Sequence, residues 1–280
     1  MRALIISTPL LARNSASDMA PPPKSLGAAP PRARRALLVK AVYALNGQPH
    51  DDVDADAPCT LADEVAHITG ALDAVAASEA GVHLVAHSYG GLVALQLAQQ
   101  LGTRVRSLFL YEPVLFGALL RTTEQDVTVD AAARPDVETF AKHPWFLTDD
   151  ARMGTSEWLE TFIDYWNRPG SWARMPEPQR AETEAAAWKM AQEVRGIFTD
   201  PADFGAYAHP APTTLVLGGR TTAASRATTH TLMARALPHA VLVELPKAGH
   251  MGPLTHRAEV HAELAEHFRR LAAGQACVAV

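Results

Sequence analysis

Three residues of this sequence have the types and settings needed for nucleophilic attack on a carbonyl: Ser88, His250 and Glu112. A serine hydroxyl is a weak nucleophile near neutral pH, so it needs a base to take its proton and an acid to orient that base. Ser88 lies in Val85-Ala86-His87-Ser88-Tyr89-Gly90-Gly91, between an apolar, strand-like run and a glycine pair that opens a helical pattern. That is the G-x-S-x-G pattern of a nucleophile elbow, with Ala86 in place of the first glycine. Small residues two positions away on either side let the chain turn sharply and lift the hydroxyl clear of a sheet. Read without partners, the same serine is an N-cap that accepts a backbone N–H.

The base and the acid are expected further along the chain. His250 is one of twelve histidines, and it is singled out by its place in Gly249-His250-Met251-Gly252, directly after a late strand-like run over 240–245. Glu112 follows the strand-like run 105–111, which puts it at the carboxyl end of a strand, the edge where parallel sheets bind ligands. Glu244 lies inside a strand and is the weaker alternative.

Alternating strands and helices must position these residues. Val82-His83-Leu84-Val85 reads as a short buried strand, and Leu92 to Ala98 has the apolar spacing of a helix packed on a sheet. Strand, helix, strand, helix, strand is predicted over 36–113. Thr60 and Asp63 offer an N-cap and a first-turn acid to a helix running to about Ala77. Strand signals disappear over 114–209, where the chain turns helical and aromatic, and the alternation returns over 213–272. The expected division is a first part of an α/β core over 1–113, a helical cap over 114–209 and a second part of the core over 210–280. Pro21-Pro22-Pro23 and Pro30-Pro31 mark residues up to about 35 as irregular. Met1 to Ala12 has the makeup of a short signal peptide, but Pro9 interrupts the apolar run and a first core strand accounts for the same residues.

Composition fits a globular protein of 280 residues with 25 basic and 30 acidic side chains, net −5, and no long basic block. A nucleic-acid partner is not indicated. No apolar run reaches the ~18 residues that a membrane span requires. Cys59 and Cys277 stand far apart, without metal-type spacing, and fit a reducing cytoplasm. All five tryptophans, Trp145, Trp158, Trp166, Trp172 and Trp188, fall in the 114–209 excursion, where they either build its small core or roof a cleft. The best candidate for a pocket wall is the segment from Phe162 through Tyr165 and Trp166 to Trp172, with Met251 beside the histidine.

From Leu61 onward the chain resembles the α/β-hydrolase superfamily. The likeness is carried by the Thr-Leu-Ala-Asp-Glu-Val opening of a helix, the Ala-His-Ser-Tyr-Gly-Gly elbow, Leu-Tyr-Glu-Pro-Val-Leu-Phe at a strand end, and Gly-His-Met-Gly-Pro-Leu-Thr-His, in the Ser-acid-His order. The resemblance implies an α/β fold with a mostly parallel sheet, an inserted cap and an acyl-enzyme mechanism without metal or organic cofactor. It usually places the acid after the penultimate strand, here 213–219, yet Arg220 to Ser225 contains no carboxylate; some members take it from the strand after the nucleophile helix, which points to Glu112. The oxyanion donors it implies are the Tyr89 N–H and a second group near Ser15, in a segment that departs from the family pattern. The expected substrate is a small acyl compound with a hydrophobic or aromatic portion, and a homodimer is compatible with the sequence. Cleavage of a carbon–carbon bond, acyl transfer, and a catalytically weak or silent ligand-binding protein are the other readings.

Overall fold

A computed structural model describes residues 3–7, 38–42, 60–75, 81–122 and 132–274. Its centre is a six-stranded, all-parallel sheet in the order β2-β1-β3-β4-β5-β6. The strands are β1 (Ala3–Ser7), β2 (Leu38–Val42), β3 (Val82–His87), β4 (Val105–Tyr111), β5 (Thr213–Gly218) and β6 (Val241–Leu245). The run at the N-terminus is thus a core strand, paired with both β2 and β3. Strands covered on both faces need near-continuous apolar side chains, and Leu84, Leu108, Leu110, Leu215, Val216 and Leu217 supply them, all fully buried.

Helices α1 (Leu61–Val75) and α2 (Tyr89–Leu101) connect the strands of the first half. The Thr60 hydroxyl accepts the Asp63 N–H at 3.2 Å while the Asp63 carboxylate accepts the Thr60 N–H at 2.9 Å, a reciprocal cap that starts α1 where the sequence predicts it. The helix is described to Val75, and its expected end at Ala77 lies outside the described residues. Helix α2 buries nearly every apolar residue it has, from Leu92 to Leu101, because the sheet, α1 and a later helix all pack on it.

Between β4 and β5 the described residues form helices and turns only: α3 (Phe116–Arg121), α4 (Ala133–Ala141), α5 (Ser156–Trp166), α6 (Glu177–Ala185), α7 (Ala187–Thr199) and a 3-10 turn over Phe204–Tyr207. Aromatic rings hold this region together. Phe140, Phe146, Trp158 and Phe162 stack in series at 4.6, 4.9 and 5.1 Å, and the buried Trp158 indole N–H donates to the Phe146 carbonyl at 3.0 Å. After β5 come α8 (Ala223–Arg235), β6, α9 (Gly252–Thr255) and α10 (Arg257–Ala272). Among the described residues no helix is long and apolar enough to cross a membrane.

A buried polar chain ties α10 to the sheet. His267 Nε2 lies 2.9 Å from Ser107 Oγ, His267 Nδ1 lies 2.8 Å from Thr214 Oγ1, and His83 Nδ1 reaches the same Ser107 hydroxyl at 2.7 Å. Burial, followed by the nearby His83 and Arg270, lowers the His267 pKa from 6.5 to about 4. The folded protein therefore keeps this ring neutral at a pH where the unfolded chain has already protonated it. Its contribution is complete above pH 6.5 and is lost as the pH falls toward 4, amounting to on the order of 2–3 kcal/mol. Urea titrations at pH 7.5 and 4.5 are expected to show this loss in the wild type and a smaller one in His267→Gln. Equal losses in both proteins would remove His267 as the cause.

Candidate active site

The turn between β3 and α2 places Ser88 at φ 57° and ψ −128°, a left-handed conformation that L side chains rarely adopt. The surrounding backbone pins it there. Ser88 N–H donates to the Tyr111 carbonyl at 3.1 Å, and the Ser88 carbonyl accepts from Gly91 N–H at 2.8 Å and Val114 N–H at 3.3 Å. Gly91 has to be glycine, because a Cβ there would lie 2.6 Å from the Pro113 Cβ. Among the described residues only one other non-glycine residue has a positive φ, and it is Glu112, at 41°. The two backbone outliers are the proposed nucleophile and acid, and strain of this kind persists only where the fold over-determines it.

Glu112 is completely buried, and both of its carboxylate oxygens have hydrogen-bond partners. Its Oε1 accepts the Gly218 N–H at 2.7 Å, and its Oε2 accepts the Thr221 hydroxyl at 2.6 Å and faces His250 Nδ1 at 2.7 Å. The end of β5 and the loop beyond it, which carry no carboxylate, thus supply two hydrogen-bond donors to the one reaching over from β4. Gly218 permits this close approach, since a Cβ there would sit 3.0 Å from Oε1 and 2.7 Å from the Ala248 carbonyl oxygen.

His250 stands between β6 and α9 and is 4% exposed. Its Nε2 lies 2.9 Å from Ser88 Oγ, so an imidazole protonated at Nδ1 donates to Glu112 and accepts the serine proton at Nε2. The loop is tied down at two carbonyls: Tyr111 O–H donates to Gly249 O at 2.7 Å, and His87 Nε2–H donates to His250 O at 2.8 Å. Burial, and then the neighbouring His250, push the His87 pKa well below the ordinary histidine value, so this second imidazole stays neutral. Gly252 follows for a packing reason, as a Cβ there would overlap the Tyr111 hydroxyl.

A narrow cavity of about 50 Å³ opens onto Ser88 and His250. From the expected pocket wall, Phe162, Trp166 and Met251 line it. Trp172 and Tyr165 do not, which corrects the sequence reading. The Trp172 indole is buried among helices, donating to Ser156 Oγ at 3.1 Å beneath Arg180. Tyr165 turns the other way on α5, packs on Phe140 at 4.4 Å and directs its hydroxyl at Thr222. Sequence reasoning missed the opposite wall, Met190, Glu193, Val194 and Ile197 of α7. Their i, i+3, i+4, i+7 spacing was the available signal, but spacing does not tell a cavity wall from a core face. Glu193 is held from behind by Lys189 Nζ at 2.9 Å, and the same ammonium pairs with Glu64 of α1. Tyr89, the expected oxyanion donor, is the first residue of α2, directly after Ser88. Ser15 lies outside the described residues.

The family model described as "Alpha/beta hydrolase family" matches residues 42–263. This chain belongs to the α/β hydrolase family. Solved α/β hydrolase-fold structures are similar over nearly the whole chain. MGS-M2, an α/β hydrolase from a Medee basin deep-sea metagenome library, superposes with a TM-score of 0.60 at 13% identity, covering 95% of this chain and 88% of that one. The enol-lactonase from Burkholderia xenovorans LB400 gives 0.59 at 14% identity over 96% and 91%. A meta-cleavage product hydrolase (CumD) from Pseudomonas fluorescens IP01 gives 0.52 at 16% identity over 80% and 77%. At these identities the likeness is one of fold. No curated protein matches the sequence.

Proposed function

We propose that this α/β hydrolase is a serine hydrolase that cleaves an ester or related acyl bond of a small hydrophobic or aromatic substrate. The reading rests on one observation, the unbroken row Ser88–His250–Glu112 with contacts of 2.9 and 2.7 Å. Ser88 Oγ attacks the carbonyl as His250 Nε2 takes its proton. Glu112 fixes the imidazole tautomer and stabilises the cation. The tetrahedral oxyanion is held by the Tyr89 N–H and a second donor near Ser15. His250 then returns the proton to the leaving group, and water, activated by the same base, releases the acid. Residues 114–209 act as the cap, with Phe162 and Trp166 of α5 and Met190, Val194 and Ile197 of α7 giving the cavity its apolar character. The name of one fold neighbour, an enol-lactonase, concerns a cyclic ester, in keeping with this bond class.

A fluorophosphonate probe tests the reading, because it labels only serines whose hydroxyl is activated. Peptide mapping is expected to find the label on Ser88, with the labelling rate reduced at least 100-fold in His250→Ala. A folded wild-type protein that resists the probe would overturn the serine-hydrolase reading.

A further inference from the structure

Trp166, the last residue of α5, stacks its indole on His250 with ring centroids 3.8 Å apart and planes 22° from parallel. This is closer than a pocket wall requires, and the indole is itself braced. It stacks on Phe116 at 5.9 Å and meets the edge of Tyr165 at 4.8 Å. The imidazole is therefore held at Nδ1 by Glu112, at Nε2 by Ser88 and across a ring face by an aromatic surface, while His87 fixes the backbone carbonyl of His250. That face carries the negative lobe of the indole quadrupole, which attracts a cation more strongly than a neutral ring.

We propose that Trp166 is a positioning residue for His250: its indole holds the imidazole in line between Ser88 and Glu112 and stabilises the imidazolium formed when His250 takes the serine proton. The proposal rests on these three residues acting as described above. A cation present only part-way through the reaction is stabilised in the transition state and not in the resting enzyme, so the effect belongs in kcat. The other ionisable groups around His250 are Glu112, the neutral His87 at 4.8 Å, the Tyr111 hydroxyl on the Gly249 carbonyl, and Glu193 on the far cavity wall. W166L and W166F leave each of these groups in the chain, so the variants differ from wild type only at the ring that covers the imidazole face.

The test compares wild type with W166L, which keeps an apolar side chain but no quadrupole, and W166F, which keeps a weaker quadrupole. Hydrolysis of p-nitrophenyl butyrate from pH 5 to 9 gives kcat and KM, and NMR follows the His250 ring proton over the same range. In W166L, kcat is expected to fall about tenfold, and both the acid limb of kcat/KM and the NMR titration to move down by about half to one pH unit. W166F is expected to lie between the two. A raised KM with an unmoved acid limb and titration would make Trp166 a wall only and overturn the proposal. If W166L does not fold, W166F decides by the same readouts. A wild type that neither labels nor turns over defeats the proposed reaction, whereas the NMR titration still decides whether the indole acts on the imidazole.

Discussion

Glu112→Gln is expected to lower kcat by about 10⁴-fold while leaving KM within a few-fold of wild type. The carboxylate receives donors on both oxygens: Gly218 N–H on Oε1, and Thr221 O–H and His250 Nδ1–H on Oε2. An amide has one accepting oxygen. With that oxygen kept on the rigid Gly218 N–H, the NH₂ group faces His250 Nδ1 and makes it an acceptor. The ring proton then sits on Nε2, pointing at Ser88, and the base cannot take the serine proton. Steady-state kinetics on a p-nitrophenyl ester, with circular dichroism to confirm folding, would check the prediction. Rates close to wild type would remove Glu112 as the acid.

Ser88→Ala is expected to reduce kcat by about 10⁶-fold and to abolish fluorophosphonate labelling. The variant keeps the cavity, the imidazole and the acid, so substrate still binds and only the covalent step is lost. The measurement needs enzyme purified free of host esterases, because a contaminant at a millionth of the protein would match the residual rate. Retention of more than a hundredth of the wild-type rate would mean that the acyl-enzyme does not form on Ser88.

The sequence made the local half of this site legible. Ser88, Glu112 and His250 each end or follow a strand, and strand ends are marked by a switch from apolar runs to glycine, proline and polar residues. Five of the six strands follow from the same runs, with Val82–His87, Thr213–Gly218 and Val241–Leu245 within two residues of the spans predicted, while β1 falls in the stretch up to about 35 that reads as irregular apart from its opening apolar run. What the pattern does not carry is pairing at long range. Gly218 stands 106 residues from Glu112 and His87 stands 163 from His250, and each contributes one hydrogen bond with no local signature. Pro113 even argues against the backbone found, since a residue before proline is biased toward extended geometry while Glu112 has a positive φ. Trp172 misled because a buried indole and a pocket indole have the same sequence pattern, and only the hydrogen bond to Ser156 separates them.

The acid on β4 has a mechanical consequence. Nucleophile and acid belong to adjoining strands that are cross-linked directly, through Ser88 N–H to the Tyr111 carbonyl and Val114 N–H to the Ser88 carbonyl. Their backbone spacing is set by the pairing of two neighbouring strands of the first half, on either side of α2. Only His250 arrives afterwards. Had the acid followed β5, two members of the row would have depended on the second half of the chain keeping register with the first. Here the second half supplies the imidazole, clamped by Tyr111 and His87 of the first half, and the Gly218 and Thr221 donors that hold the Glu112 carboxylate, so the docking of β5 and of the His250 loop sets whether the row is assembled.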